Sequence, residues 1–221
     1  SEKAKAQWEL VAKTGDITAN KIDKAVSPLI RTKWNQDRLY NDLCPKDPKG
    51  PNGRVYAGCV ACAMSQIMKY WNYPPTGIGS YSYNAVGYGT QTADFGNTNY
   101  NYSVMPLSLT RTSSEEEIFE VAQLMYHCGV SVDMGYGPDG SGAMSDMVPK
   151  SWKGYFMFAD DTYMDYMMMH NAERWAIKLK EELDKSHPLY YSGSNDGGGH
   201  AFVCDGMQSD GYLHINWGWD G

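Results

Sequence analysis

The sequence predicts an α+β fold made of two packed lobes. Three observations carry this prediction: helical apolar spacing in three segments before Pro188, short strand-like runs after it, and no linker or internal repeat. Because nothing separates the two halves, we expect them to share an interface, and a cleft between lobes is where functional sites usually lie. The chain of 221 residues is long enough to bury a stable core without a disulfide framework.

Three segments carry apolar residues at the three-and-four spacing of a buried helix face. The first begins at Cys59 and ends before Asn72, where the sequence Asn-Tyr-Pro-Pro stops a helix. The second starts at a capping box of Ser114 and Glu117. The third runs from about residue 171 to residue 185. We expect the three helices to pack as one layer.

Strand-like runs follow Pro188 and alternate with clusters of turn-forming Gly, Asn, Asp and Ser. They cover residues 189–191, 200–204 and 212–217. Residues 26–130 are therefore expected to form mainly the helical lobe, and residues 131–221 mainly the sheet lobe. Residues 1–25 are charged and carry few large apolar side chains, so they are expected to be a leader outside the core.

Charge and hydropathy argue against two classes of partner. The chain has 19 basic and 26 acidic residues, a net charge of −7, whereas affinity for nucleic acid rests on clustered cations. No apolar run approaches the roughly 18 residues that a membrane span needs. We therefore expect neither a nucleic acid nor a membrane as the partner.

Cys59 is the first residue of the first predicted helix. A thiol at that point lies at the positive end of the helix dipole, which lowers its pKa toward the nucleophilic thiolate form. With Cys62 it also makes a C-x-x-C pair, which could be a redox dithiol. A zinc site would need a second pair of ligands, and the sequence has no second C-x-x-C. The 5 cysteines are an odd number, so at least one thiol is unpaired within the chain.

A cysteine nucleophile needs an imidazole to exchange its proton and a group that orients this imidazole. His200 is the best candidate, because it opens a predicted strand after three glycines, 197–199, that would let a substrate backbone approach. It follows Cys59 by 141 residues, within the roughly 130 to 150 known for one group of cysteine enzymes. By spacing, the candidate for the orienting group is Asn216, which lies on the next strand beside Trp217 and Trp219.

Four motifs follow one another along the chain. They are Gly58-Cys59-Val60-Ala61 continuing to Asn72-Tyr73-Pro74, Gly129 to Met134, Gly198 to Val203, and Asn216-Trp217-Gly218-Trp219. Together, over residues 26–221, they resemble the streptopain family of papain-like cysteine peptidases. The resemblance implies a papain-like fold of two lobes: a helical lobe with the cysteine helix, packed on an antiparallel sheet or barrel lobe that carries the histidine. The active-site cleft would lie between them.

The same resemblance implies what each motif residue does. Cys59 matches the nucleophile and His200 its proton partner. Gln36 matches the glutamine whose amide forms the oxyanion hole together with the backbone N–H of the nucleophile. The orienting role stays open between an asparagine side chain, as in papain, and tryptophan, as in streptopain-like enzymes: Asn216, or Trp217 and Trp219. The expected walls of the substrate cleft are the loop 136–145 with Ser141, together with Ser194 and Gly199.

As a function, the resemblance implies a bacterial thiol protease, secreted as a zymogen that its own propeptide inhibits. It would be an endopeptidase of broad specificity, preferring an apolar residue before the scissile residue, used for virulence or nutrient acquisition, with protein or peptide substrates and no cofactor or metal. Residues 1–25 would be a remnant or junction of the propeptide. Because family members continue beyond the equivalent of Gly221, the chain would lack their last strands.

Two alternatives to a peptidase remain at the level of sequence. A thiol-disulfide oxidoreductase would use both Cys59 and Cys62. A non-catalytic binding module on a degenerate peptidase fold would keep the cleft but lack a reactive thiol at Cys59. An insulin-reduction assay of single variants of the two cysteines separates the first alternative from a peptidase, and labelling of Cys59 by an epoxide thiol inhibitor separates the second.

Overall fold

The structure is a computed structural model that describes residues 24–221. Its helices are α1 Cys59–Trp71, α2 Glu115–Ser131, α3 Met147–Tyr155 and α4 Ala172–Leu183, with short 3-10 turns at Pro51–Gly53 and Met167–Met169. Its strands are β1 Ser80–Ala85, β2 Gly89–Asp94, β3 Leu189–Asn195, β4 Gly198–Met207 and β5 Leu213–Asn216. Within this part of the chain, no helix is long and apolar enough to cross a membrane.

Helix α1 is the centre of the larger core. Its residues 60–68 are all buried, because one side of the helix packs on α2 and the other on β4. A helix that is apolar on nearly all sides is stable only when neighbours cover it, so its burial follows from its sequence. The capping box that begins α2 is present, since Ser114 and Glu117 each bond the backbone N–H of the other. The first two predicted helices are confirmed.

The strands form two antiparallel sheets. β1 pairs with β2 as a hairpin that packs on α2, and the larger sheet has the order β3-β4-β5. In its register Gly193 faces His200, and a bulge between Cys204 and Gly206 shifts the pairing of β4 with β5. This register brings the start of β4, with His200, next to the tip of the β3–β4 hairpin and above the beginning of α1.

The prediction that three helices form one layer is wrong. α4 packs on β3 and β4, where Leu179 and Leu183 form a second core with Cys204 and Met207. Its narrow apolar stripe matches one face of the sheet, and α2 already covers the side of α1 that a third helix would need. Helices α3 and α4 also lie in the sequence range expected for the sheet lobe, and the β1–β2 hairpin in the range expected for the helical lobe.

Residues 26–36 form a segment, here called the N-terminal strap, that connects the sheet with α1. At its beginning Val26 pairs with Met207 at the end of β4. At its end the carbonyl oxygen of Gln36 accepts a hydrogen bond from the N–H of Ala57, two residues before α1 (2.8 Å). The expected leader, 1–25, lies outside the described residues except for 24 and 25.

Candidate active site

The residue before α1 must be glycine. Gly58 has φ +96°, a conformation that side chains strongly disfavour. A Cβ on it would also lie 2.6 Å from the sulfur of Met134 and 3.2 Å from the carbonyl oxygen of Ser141. Among the described residues no side chain caps the first turn of α1, so its backbone N–H groups stay available beside the thiol of Cys59. The site thus starts with a thiol at an uncapped helix N-terminus.

His200 faces this thiol from β4. Its Nε2 lies 2.8 Å from the carbonyl oxygen of Trp217. Because a carbonyl oxygen can only accept, Nε2 must carry a hydrogen, and Nδ1 is the ring nitrogen left to bond Cys59. The backbone of Trp217 therefore fixes both the tautomer and the orientation of the imidazole.

The pKa values of the two groups move toward each other. Burial raises the pKa of the Cys59 thiol, but hydrogen bonds from His200 and from the backbone of Ala201 outweigh it, and the net pKa is lowered. The hydrogen bond with Cys59 raises the pKa of His200 against the effect of burial, and the carbonyl of Trp217 raises it further. A lowered thiol pKa and a raised imidazole pKa favour the thiolate–imidazolium pair at neutral pH.

Aromatic rings cover the imidazole. The ring of Trp219 stacks on His200 with a centroid distance of 4.4 Å and an interplanar angle of 23°. The ring of Trp217 is nearly parallel to it at 6.2 Å. Aromatic faces attract a cation and limit the rotation of the ring between them. The ring of Trp219, at 4.4 Å, therefore favours the protonated, correctly oriented form of His200, and the more distant ring of Trp217 contributes less.

Asn216 has a different position from the one its spacing suggested. Its side chain is buried and does not bond His200: Oδ1 accepts from the N–H of Gly218 (3.1 Å) and from Nε2 of Gln66 (3.0 Å), and Nδ2 donates to the carbonyl of Thr32 (2.7 Å). Of the three candidates, Trp217 orients His200 through its carbonyl and Trp219 through its ring. Asn216 holds the turn that contains them.

Gln36 reaches the site from the end of the strap. Its Nε2 donates to the carbonyl oxygen of Gly218 at 3.3 Å, and its side chain is buried. A Cβ on Gly218 would lie 3.0 Å from the sulfur of Cys62, which is one helical turn after Cys59, so Gln36 lies beside the first turns of α1. Within residues 24–221 the second N–H of this amide has no acceptor, so it can bind a substrate oxygen.

The expected cleft walls divide into two groups. Ser194 and Gly199 line, with His200 and Trp217, an open depression of about 400 Å³ beside the hairpin tip. Ser141 is not free to bind substrate with its side chain, because its hydroxyl donates to the carbonyl of Tyr56 (2.6 Å) and accepts from the N–H of Gly137 (3.1 Å). It braces the loop 136–145 against the chain that enters α1.

Two structural features of the site were missed by the sequence reasoning. The hydroxyl of Tyr190 on β3 lies 2.8 Å from that of Ser145, which ties the loop 136–145 to the sheet. Gln66, a fully buried amide on α1, bonds Asn216 and Thr32. Gln66 could have been found from the sequence, since it is a polar residue in the middle of a predicted apolar helix. No sequence signal indicated the hydrogen bond between Tyr190 and Ser145.

The remaining four cysteines differ from Cys59. All five are free, but only Cys59 is partly exposed, and Cys44, Cys62, Cys128 and Cys204 are at most 1% exposed. Burial raises the pKa of Cys62 well above its ordinary value. The Cys62 sulfur contacts the carbonyl of Gly218 (3.9 Å), whereas the Cys59 thiol bonds His200, so the arrangement favours a nucleophile paired with an imidazole over a dithiol.

An uncapped helical thiol, an imidazole fixed by a carbonyl and a side-chain amide beside them define the class of cysteine peptidases. The comparison with protein families agrees with this class: the model of the Peptidase C10 family matches residues 34–221. The chain belongs to this family, which confirms the resemblance stated from the motifs.

Among curated relatives, the chain is 33% identical to the thiol protease/hemagglutinin PrtT of Porphyromonas gingivalis, over 90% of this chain and 24% of PrtT. It is 32% identical to streptopain of Streptococcus pyogenes, over 92% of this chain and 56% of streptopain. The chain thus spans a quarter to just over half of the length of these relatives.

Two solved structures are similar as well. A fragment of prointerpain A of Prevotella intermedia has a TM-score of 0.85 and 37% identity, covering 97% of this chain and 70% of that one. Active interpain A has a TM-score of 0.83 and 38% identity, covering 93% and 86%. The motifs also favoured interpain as a near relative, and this similarity confirms the mixed helical and antiparallel-sheet fold.

Proposed function

We propose that this chain is a secreted bacterial cysteine endopeptidase that hydrolyses proteins through an acyl-enzyme. The observation that carries the proposal is the arrangement of Cys59 and His200, with the Nε2 of His200 held 2.8 Å from the carbonyl of Trp217. Because this carbonyl holds Nε2, the Nδ1 of His200 is left to face the Cys59 thiol, whose pKa is lowered. The free N–H of Gln36 on the other side of the turn supplies a donor for the oxyanion.

The reaction has two halves. The Cys59 thiolate attacks the carbon of the peptide carbonyl. The carbonyl oxygen gains the negative charge, and the Gln36 amide and the N–H of Cys59 stabilise it. His200 gives its Nδ1 proton to the leaving amine as the C–N bond breaks. It then takes a proton from water as the water attacks the thioester, and the thiolate leaves with the acid product released.

The finer parts of the proposal have their own support. One similar structure is that of prointerpain A, a precursor form, which supports a zymogen whose propeptide, preceding the strap, inhibits the site. The relatives are bacterial proteins, which supports a bacterial origin, and secretion with a role in virulence or nutrient acquisition is what the family resemblance implies. Met144 is largely exposed on the loop 136–145, next to the bonded Ser145 and Tyr190. Its side chain is an exposed apolar group on that loop, and broad specificity with an apolar residue before the scissile one is what the family resemblance implies.

Labelling with an epoxide thiol inhibitor tests the function. The native protein should take up one adduct, and mass spectrometry of its peptides should find it on Cys59, because the other four thiols are buried and have raised pKa values. Denatured protein, in which all five thiols react with a general alkylating reagent, is the control. A native protein that hydrolyses no casein and carries no adduct would instead be a binding module.

Gln36→Ala is expected to lower kcat by about 10²- to 10³-fold, the usual cost of one lost oxyanion donor. Epoxide labelling of Cys59 should continue, since the thiolate–imidazolium pair does not depend on this amide. Steady-state hydrolysis of a fluorogenic peptide measures the effect. The matched control is Gln208→Ala, at an exposed glutamine, which should keep the kcat of the wild type. Equal kcat values for the two variants would remove Gln36 from the oxyanion hole.

A further inference from the structure

A ring of three buried hydrogen bonds joins α1, β5 and the strap. Gln66 donates from Nε2 to Oδ1 of Asn216 (3.0 Å), and Asn216 donates from Nδ2 to the carbonyl of Thr32 (2.7 Å). The hydroxyl of Thr32 closes the ring by donating to Oε1 of Gln66 (2.7 Å). All three residues are buried, and Gln66 is fully so. Three segments that are distant in sequence are thus fixed to one another by their side chains.

The direction of every bond in the ring is determined by the backbone. The carbonyl of Thr32 can only accept, so Asn216 must present Nδ2 to it. The N–H of Gly218 can only donate, so Asn216 must present Oδ1 to it (3.1 Å). Gln66 therefore has to donate to that same Oδ1. A residue of the same shape without a donor at this position could not close the ring.

The ring holds a turn, residues 216–218, whose two carbonyls serve the reaction. The carbonyl of Trp217 accepts from Nε2 of His200 (2.8 Å), and the carbonyl of Gly218 accepts from Nε2 of Gln36 (3.3 Å). Gln66 lies on the same helix as Cys59, seven residues later, on the same face. It therefore links the nucleophile's own helix to the turn that locates both the proton donor and the oxyanion donor.

We propose that Gln66 is a positioning residue of the peptidase reaction: through Asn216 it sets His200 and Gln36 in place relative to Cys59, without contacting any of the three. This inference rests on the proposed peptidase function. It differs from a purely structural role, because a displaced turn changes the rate of each folded molecule, whereas lost packing changes only how many molecules are folded.

Gln66→Glu tests the proposal, because the carboxyl has the same shape but donates only when protonated. Burial raises the pKa of such a carboxyl. Above that pKa the ionised group faces Oδ1 of Asn216 without a hydrogen, and kcat/KM is expected to fall about 10²-fold, the cost of a displacement of about 1 Å. As the pH falls through that pKa the donor returns, so the ratio of variant to wild-type kcat/KM should rise. Rates are divided by the folded fraction measured by circular dichroism at each pH.

Gln91→Glu is the matched control. Gln91 is also buried, but its amide bonds the backbone of the β1–β2 hairpin and the hydroxyl of Tyr126, away from the site. It should show a pH-dependent folded fraction with a constant rate per folded molecule. If Gln66→Glu behaves in the same way, the positioning role is overturned. If the wild type itself hydrolyses no peptide, the proposed function fails instead, so the two failures are distinguishable.

Thr32→Val is a second test of the positioning role of Gln66, for use if the Gln66→Glu variant does not fold. It removes only the hydroxyl that bonds Gln66, and valine keeps the shape of threonine. We expect kcat to fall several-fold at every pH, with KM unchanged and no recovery at acidic pH, because this variant introduces no titratable group. An unchanged kcat per folded molecule would overturn the proposal.

Discussion

Cys59→Ala is expected to abolish peptide hydrolysis, with a loss in kcat of about 10⁶-fold, the scale for a removed covalent nucleophile. The thiol stands alone at the uncapped start of α1, and the other four thiols are buried away from solvent. No neighbouring group can form the acyl-enzyme in its place. Hydrolysis of a fluorogenic peptide and labelling by the epoxide inhibitor should be lost together.

Two cysteine variants serve as controls for this loss. Cys128→Ala removes a buried thiol of α2 that bonds the sulfur of Met68, so it should reduce stability and leave kcat within a few-fold. Cys62→Ala separates the peptidase from a dithiol oxidoreductase, because only the latter needs both thiols. Turnover that survives in Cys59→Ala but disappears in Cys62→Ala would contradict the assignment of the nucleophile.

His200→Asn is expected to lower kcat by a similar factor, about 10⁶-fold, because members of one catalytic unit fail together. It should also change the thiol itself. Without the hydrogen bond and charge of His200, burial outweighs the backbone N–H groups, and the pKa of Cys59 rises. Each unit by which this pKa rises lowers the thiolate fraction about tenfold at mildly acidic pH. Iodoacetamide alkylation of Cys59, followed against pH, measures this rise.

The activity of the wild type is expected to rise and then fall with pH, because Cys59 and His200 shift each other's pKa in opposite directions. As pH rises through the lowered pKa of Cys59, the thiolate forms and hydrolysis begins. As pH rises further through the raised pKa of His200, the proton for the leaving amine is lost and hydrolysis declines. His214→Asn is the control, because His214 bonds the buried Asp205 (2.7 Å) and should leave both limbs in place. A His200→Asn variant with the wild-type alkylation profile would contradict the pairing.

Local sequence signals were sufficient for the elements that carry the site. Helix α1 begins at Cys59 and ends at Trp71 as the apolar spacing and the Asn-Tyr-Pro-Pro stop indicate, and α2 follows its capping box. The β1–β2 hairpin is only weakly indicated, because Tyr81 and Tyr83 alternate with small polar residues over β1 alone, and β2 has no large apolar side chain. Helix α3 begins with Pro149 in its first turn, where proline is tolerated but hides the helical pattern.

The parts of the site that the sequence did not predict depend on backbone groups and on packing rather than on weak local patterns. Cys59, His200 and the two tryptophans have side chains with distinctive chemistry, so their spacing could be interpreted. The group that orients His200 is the carbonyl of Trp217, and a backbone carbonyl is the same for every residue type. For this reason the spacing pointed equally to the Asn216 side chain. The packing of α4 on the sheet likewise depends on which surfaces remain uncovered, which only the assembled chain decides.

The ring and the turn 216–218 also have a consequence for when the site can form. The hydrogen bond between Gln36 and Gly218 joins residues separated by 182 positions, and the one between Asn216 and Thr32 by 184. Contacts of such long sequence separation form late, since chain closure must precede them. While the chain is being synthesised, α1 can be complete before the residues that lower the pKa of Cys59 exist. The acidity of Cys59 therefore depends on contacts that exist only once β4 and β5 have paired, and the helix that carries the thiol does not supply it alone.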